Sequence, residues 1–452
     1  MRIAFHTLGC KLNYSETAAL REDLVRRGHD LVRFDESADV LIVNTCSVTE
    51  NADAECRKVV RRGLRTSPDA HVIVTGCFAQ LRPEEVAGID GVAAVVGSAR
   101  KHAIGDILDT LEPDAPPQIL VDDIDEATSF VPSRTGRADS RTRSFFKIQD
   151  GCDYSCSFCT IPQARGPARA MPMSEIRREL DAIARDGYHE VVLSGINIGE
   201  YRGEGGERFV DVVSMINAIR PPFRVRISSI EPNTITNELI DVIAVSDVFV
   251  PHFHIPLQSG SAEILRSMRR RYNPEMYERV VRSIHERLPD AALGIDVIVG
   301  FPGETDEHFA ETMQFFDGLP FTYLHVFTYS ERPGTPAATM DARIDPYVRK
   351  LRTHRLRQLS EVRTSEFHRR MIGTERVFLP EGYDARTGTW DGWTENHVYG
   401  RLRAGADLLK RPYRVRCAQA EDGFVVVDPL EPLEISTSVA MTLPVLTLEE
   451  HS

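Results

Sequence analysis

Three cysteines stand close together in the run Cys152-Asp153-Tyr154-Ser155-Cys156-Ser157-Phe158-Cys159. They follow a strand-like stretch, Ser144–Gln149, and a turn at Asp150-Gly151. A loop with this spacing can turn three sulfurs toward one centre. Thiolates are the ligands of iron–sulfur cubanes. Three of them leave the fourth iron open to an external ligand, to which the cluster can pass an electron. Zinc is the competing occupant. Zinc sites pair two C-x2-C knuckles or add histidines at fixed offsets, and neither lies nearby, so the spacing favours a cubane.

A second trio is scattered along the chain but shares one setting. Cys10 lies in Leu8-Gly9-Cys10-Lys11-Leu12-Asn13, Cys46 in Val43-Asn44-Thr45-Cys46 and Cys77 in Thr75-Gly76-Cys77. Each follows an apolar strand-like run: Arg2–Thr7, Asp39–Asn44 and His71–Thr75. Helical runs at Ser15–Arg27 and Asn51–Arg65 alternate with them, which predicts a parallel sheet with covering helices. Such sheets gather ligands beyond the carboxyl ends of their strands. Equivalent loops of neighbouring strands can therefore converge on a second cluster. Cys56, in a predicted helix, and Cys417, inside a β run, lack this placement and read as packing residues.

The elements that must position the central trio run on from there. Candidate strands are Ser144–Gln149, Glu190–Ser194, Arg224–Ser228, His252–Ile255, Gly294–Val299 and Tyr323–Thr328, with helices such as Ser174–Asp186, Glu263–Met268 and Glu275–Arg287 between them. Six β/α units predict a partial (β/α)6 barrel with its site at the strand C-termini. Residues at those ends are the expected cofactor contacts: Gly195 and Asn197 after the second strand, Ser229 and Glu231 after the third, Gln258 after the fourth and Asp296 in the fifth, with the aromatic Phe158 beside the last cysteine. Short alternating runs between Gly373 and Pro432 read as a small β-barrel. The expected division is an N-terminal α/β domain over 1–111, a Pro-rich linker over 112–140, the barrel domain over 141–369, the small β-barrel over 373–433 and a tail over 434–452.

Composition bounds the rest. The chain has 452 residues, 42% hydrophobic and 27% charged, and a net charge of −13. That charge argues against indiscriminate binding to nucleic acid, although Arg343–Arg376 is locally rich in cations. No apolar run approaches a membrane span and no signal peptide is legible, so a cytoplasmic protein is expected. Clustered thiols in a reducing compartment are metal-binding or catalytic more often than disulfide-bonded.

Together these residues resemble the methylthiotransferase family of radical S-adenosylmethionine (SAM) enzymes. The C-x3-C-x2-C spacing with Phe158 matches the superfamily signature, while Ser194-Gly195-Ile196-Asn197 departs from its usual Gly-Gly-Glu. Gly392-Trp393-Thr394-Glu395-Asn396 looks like the signature of a TRAM domain, a small RNA-binding barrel. The flanks Thr7–Asn13, Asn44–Thr49, Lys147–Cys152, Gln163–Gly166 and Val326–Pro336 look most like the MtaB type, which methylthiolates C2 of N6-threonylcarbamoyladenosine in tRNA. The resemblance implies two [4Fe-4S] clusters: one on Cys152, Cys156 and Cys159 that cleaves S-adenosylmethionine to a 5′-deoxyadenosyl radical, and one on Cys10, Cys46 and Cys77 that holds the sulfur to be transferred. It further implies a tRNA substrate and a reducing electron-donor protein. Sister types act on isopentenyladenosine in tRNA or on a ribosomal-protein aspartate. They usually carry Gly-Cys-Gln-Met-Asn or Gly-Cys-Pro-Lys-Asn at the first cysteine, and this chain carries neither. An iron–sulfur RNA-binding protein without turnover is the rival from another class.

Overall fold

The structure, a computed structural model, describes residues 1–46, 50–112, 115–136 and 142–433, with backbone alone at residues 50–52. The expected tail at 434–452, residues 113, 114 and 137–140 of the expected linker and Ser47, Val48 and Thr49 of the second cysteine's flank lie outside the described residues.

The first six strands are β1 (Arg2–Thr7), β2 (Asp30–Val32), β3 (Val40–Thr45), β4 (His71–Gly76), β5 (Val92–Val96) and β6 (Gln118–Leu120). They form one parallel sheet in the order β2-β1-β3-β4-β5-β6. Central strand β3 is buried on both faces, as parallel strands covered by helices must be. Val40 and Ile42 pack into one apolar core while Leu41 and Val43 pack into the other. The stretch expected as a linker is not bare. Its apolar residues at Gln118–Leu120 complete this sheet as β6, and Ser133–Arg134 forms β7 against the central domain.

The central domain continues with β8 (Arg143–Lys147), a small ladder of β9 (Gln149–Asp150) with β10 (Arg169–Ala170), and then β11 (Glu190–Ser194), β12 (Arg224–Ile227), β13 (His252–His254), β14 (Ala292–Val299) and β15 (Tyr323–Thr328). Strands β8, β11 and β12 pair in parallel, as do β13, β14 and β15, and bridges at Val225–Phe249 and Ser229–His254 join the two sets. The result is an arc of six parallel strands. Helices wrap its convex side: Gly187 at φ 79° ends the Met173–Asp186 helix, and Asn273 caps the Pro274–Arg287 helix through Met276 N.

Residues alternate strictly between the two sides of this arc. Val191, Leu193, Val225, Ile227, Phe253, Leu293, Ile295, Leu324 and Val326 join the apolar core under the helices. The intervening Glu190, Arg224, Arg226, His252, His254, Asp296, Tyr323, His325 and Phe327 therefore face the hollow.

The last five strands, β16 (Glu375–Asp384), β17 (Thr389–Thr394), β18 (Tyr399–Arg403), β19 (Tyr413–Ala420) and β20 (Val425–Pro432), close a barrel in the order β16-β17-β18-β20-β19. Asp391 and Gly392 interrupt the apolar pattern of β17, so the sequence alone marks this strand weakly. No helix among the described residues is long and apolar enough to cross a membrane.

Candidate active site

The loop after β8 and β9 carries the central trio. Gly151 sits at φ +71°, and a Cβ there would stand 2.0 Å from the carbonyl oxygen of Pro167, so the turn admits only glycine. Tyr154 N and Ile161 N donate to the sulfurs of Cys152 and Cys159, each at 3.4 Å, and Arg270 Nη1 donates to Cys156 Sγ at 3.0 Å. All three sulfurs thus meet donors suited to thiolates. Burial pushes these thiols up, Cys159 to about 12, and a metal or cluster bound here would displace the proton.

The second trio also converges. A Cβ on Gly9, at φ +101°, would lie 2.6 Å from Cys46 Cβ and 3.0 Å from its sulfur, which places the first cysteine's loop against the second's. Burial raises the thiol of Cys77, with Arg165 pulling it down and the neighbouring Cys10 pushing it up. Among the described residues, only His254, Asp296 and His325 bring three potential ligand atoms within 4.8 Å of one another. Neither cysteine trio is drawn in that far.

One buried ionic network ties the two trios together. Glu16 accepts from Lys101 Nζ at 2.6 Å, Lys147 Nζ at 3.2 Å and Arg165 Nη1 at 2.9 Å. Arg165 also donates to Asp150 at 2.9 Å and to Asn13 Oδ1 at 2.7 Å, and Lys147 donates to Asp150 at 3.1 Å. Asn13 in turn donates to Leu8 O at 2.8 Å and Thr45 O at 2.9 Å, the backbone of the Cys10 and Cys46 loops. Desolvation opposes the charges of Glu16 and Asp150. The cations, led by Arg165 at Glu16 and by Lys147 at Asp150, outweigh it, holding Glu16 well below the usual carboxylate range and Asp150 at about 2.

The residues expected at the cofactor divide among three places. Phe158, Gln258 and Asp296 line one cavity of about 230 Å³ with Cys159, Ile298, Phe327 and Tyr329. Asn197 lines another of about 210 Å³ with Cys152, Tyr154 and Arg271. Gly195 packs against Gln149, whose Oε1 accepts from Asn197 N at 2.8 Å. Glu231 pairs with Arg270 beside Cys156. Ser229 instead bonds His254 Nδ1 at 2.5 Å, and His254 Nε2 bonds Asp296 at 2.9 Å, forming a chain across the hollow. Hydrogen bonds from His254 and His325 lower the Asp296 carboxyl to about 2.

Sequence reasoning missed Glu16, Arg165, Arg270 and the polar wall of the hollow. The wall had a legible signal: Arg-Val-Arg-Ile, His-Phe-His and Tyr-Leu-His-Val-Phe alternate polar and apolar residues with period two. The ionic network had none, because its members are up to 152 residues apart. Two other expectations shift. The Arg343–Arg376 run is partly structural, for Arg349 and Arg352 are buried and paired with Glu331 and with Glu304 and Asp306. In the TRAM-like motif, Thr394 and Asn396 are fully buried and Arg226 donates to Glu395 O at 3.1 Å, so that stretch docks the small barrel on the arc. His397 follows it into the hollow, stacked on Trp393 at 4.3 Å and against His252 at 4.4 Å.

A six-stranded parallel arc with three thiols in the loop after its first strand is the layout of a radical S-adenosylmethionine enzyme, and the Radical SAM superfamily matches residues 146–316. Residues 2–97 match a second family, described as Uncharacterized protein family UPF0004. The chain is 37% identical over 423 residues to Threonylcarbamoyladenosine tRNA methylthiotransferase MtaB of Bacillus subtilis (strain 168), spanning 92% of this chain and 94% of that one. It is 35% identical to tRNA-2-methylthio-N(6)-dimethylallyladenosine synthase of Thermobifida fusca (strain YX), spanning 83% and 77%. The chain belongs to the methylthiotransferase family. The fold is shared with the radical S-adenosylmethionine methyltransferase TsrM from Kitasatospora setae, at a TM-score of 0.56 and 16% identity over 75% of this chain and 77% of that one.

Proposed function

We propose that this chain methylthiolates C2 of N6-threonylcarbamoyladenosine in tRNA, taking S-adenosylmethionine and two [4Fe-4S] clusters as cofactors. The reading is carried by one observation: two trios of thiols, Cys152/Cys156/Cys159 and Cys10/Cys46/Cys77, are tied through one buried ionic network beside a polar hollow. The B. subtilis relative's activity supports the choice of base. When bound, the two clusters supply the electron that cleaves S-adenosylmethionine and the sulfur to be transferred, chemistry that side-chain acids and bases cannot perform on an unactivated C–H bond.

The protein's own residues do the orienting. Arg270 and the backbone donors hold the sulfurs of the central trio, while Phe158, Gln258 and Asp296 line the cavity beside Cys159 for the cofactor's adenosyl moiety. Gly195, Asn197 and Glu231 flank the same loop, and Ser229 orients His254. The division at 1–111, 141–369 and 373–433 assigns sulfur transfer, radical generation and tRNA binding to separate modules, in a cytoplasmic enzyme served by a reducing protein.

Anaerobic reconstitution tests the reading. The wild type should carry two four-iron clusters and form the 2-methylthio derivative of N6-threonylcarbamoyladenosine. Cys152→Ala should lose one cluster and all cleavage of S-adenosylmethionine. Cys46→Ala should keep cleavage but make no product. Product formation by Cys46→Ala, or product on isopentenyladenosine alone, would overturn it.

A further inference from the structure

Three neighbouring strands of the arc each present one possible metal ligand to the hollow: His254 on β13, Asp296 on β14 and His325 on β15. The ladder sets them side by side. Asp296 pairs with His325 in register, and His254 pairs with Gly294, two residues before Asp296 and on the same face. Side chains carried on paired strands are placed more precisely than side chains on loops.

Both imidazoles converge on one atom. His254 Nε2 lies 2.9 Å and His325 Nδ1 3.3 Å from the same oxygen, Asp296 Oδ1, and the two nitrogens lie within 4.8 Å of each other. A carboxylate has two oxygens among which to share two donors, so convergence on one of them asks for a further reason. A first-row cation held at about 2.0–2.2 Å by nitrogen and oxygen sets its ligand atoms roughly 2.9–3.4 Å apart, for angles from square to tetrahedral. Both measured separations fall in that range. The outer shell fits as well. A metal-bound histidine donates through its other nitrogen to a fixed acceptor, and Ser229 Oγ stands 2.5 Å from His254 Nδ1. The side facing the hollow stays open: His325 is half exposed, and Asp296 borders the cavity of about 230 Å³ in which Gln258 Oε1 is buried with no hydrogen-bond partner among the described residues.

We propose that His254 Nε2, Asp296 Oδ1 and His325 Nδ1 bind one divalent first-row transition cation, zinc or ferrous iron, distinct from the iron–sulfur clusters. Two histidines and one carboxylate with further positions open are a donor set that suits either ion. Binding needs no proton to leave the protein. Each neutral ring carries its proton on the nitrogen turned away from the cation, which at His254 is the nitrogen facing Ser229 Oγ. The remaining positions of the cation face the hollow and take oxygen, from water or from a carbonyl or carboxylate of a bound substrate. The site stands on the arc's own geometry and does not depend on which base is modified.

Full-length enzyme with its clusters reconstituted anaerobically is dialysed against buffered zinc, and zinc and iron are counted per chain. Wild type should take up one zinc with its cluster iron unchanged, and X-ray absorption at the zinc edge should show only nitrogen and oxygen neighbours at about 2.0–2.2 Å. Ser229→Ala should weaken zinc binding by roughly tenfold to a hundredfold, the cost of losing an outer-shell partner, and His325→Ala, at a half-exposed ligand, should weaken it further. Ferrous iron in the site would show as one iron beyond the clusters, displaced by zinc and lacking in His325→Ala, and would support the proposal equally. Sulfur neighbours at about 2.3 Å with the cluster iron still in place would put the zinc on cysteine and overturn it. So would a wild type that holds no ion beyond its cluster iron, a result that needs no variant to fold, or a His325→Ala protein that binds zinc as tightly as wild type.

Discussion

Arg165 and Glu16 meet at 2.9 Å in a pair with both side chains under one-tenth exposed, although 149 residues separate them. Arg165 lies six residues beyond the last cysteine of the central trio, and Glu16 six beyond the first cysteine of the other. The pair therefore bridges the two loops that carry the cysteine trios. Because Arg165 presents a rigid fork, it can hold Glu16, Asp150 and Asn13 at once.

Arg165→Met should break that bridge. Removing one partner leaves buried carboxylates short of a counter-charge, which costs about 3–5 kcal/mol when no other cation remains. Lys101 and Lys147 still serve Glu16, so the expected loss is about 2–3 kcal/mol in denaturant unfolding. Misalignment should also raise the ratio of 5′-deoxyadenosine formed to methylthio product, with cleavage of S-adenosylmethionine itself retained. An unchanged ratio would confine Arg165 to a stabilising role.

The same network sets an acid limb. Glu16 and Asp150 are both held below their unfolded values of 4.5 and 3.8, Asp150 at about 2. Their contribution is complete above those unfolded values and is lost as pH falls through the folded ones. Stability should therefore drop between about pH 5 and pH 2, and Glu16→Gln should be less stable at neutral pH with a flatter acid limb. Melting temperatures across that range check both the drop and its flattening.

Most of the architecture was legible because it follows from local patterns. Arg2–Thr7, Glu190–Ser194 and Tyr323–Thr328 are strands with the bounds their apolar pattern gives. The six cysteines of the two trios can be grouped because each trio follows strand ends, where such sheets gather ligands. What stayed hidden depends on tertiary placement. Ser229 reads as a strand-end cofactor contact in sequence, but its hydroxyl is spent on His254, a residue that only the bridging of β12 to β13 brings alongside. Thr394 and Asn396 lie in the stretch that looks like a TRAM signature, yet docking buries both, and no periodicity reveals which side of a small barrel another domain will cover.

Gly151 offers a sharp test of the central loop. Its φ of +71° lies where an L side chain costs about 1–2 kcal/mol, and the clash with Pro167 O comes on top. Because Pro167 O is backbone, neither side can swing away. Gly151→Ala should shift Cys152 relative to Cys156 and Cys159 and halve the iron bound per chain. Retention of the full iron complement would show that the loop tolerates the displacement.

Asp296 should matter through its charge and its acceptor oxygen together. A single oxygen, Oδ1, receives His254 Nε2 at 2.9 Å and His325 Nδ1 at 3.3 Å. With the carboxyl lowered to about 2, it is ionised throughout the neutral range, and it fixes both imidazoles with the bonded nitrogen as donor. That leaves His254 Nδ1 to accept from Ser229 and turns His325, half exposed on the hollow, so that its other nitrogen can accept from a ligand. Asp296→Asn keeps the shape but removes the charge and places an amide donor beside the same two rings. The expected result is a fall in turnover of roughly tenfold or more, the scale of a lost charge-assisted hydrogen bond, with iron content and melting temperature close to wild type. Ser229→Ala, which removes only the far end of the chain, should cost less. If Asp296→Asn turns over normally while Ser229→Ala does not, the hydroxyl and not the carboxylate orients His254.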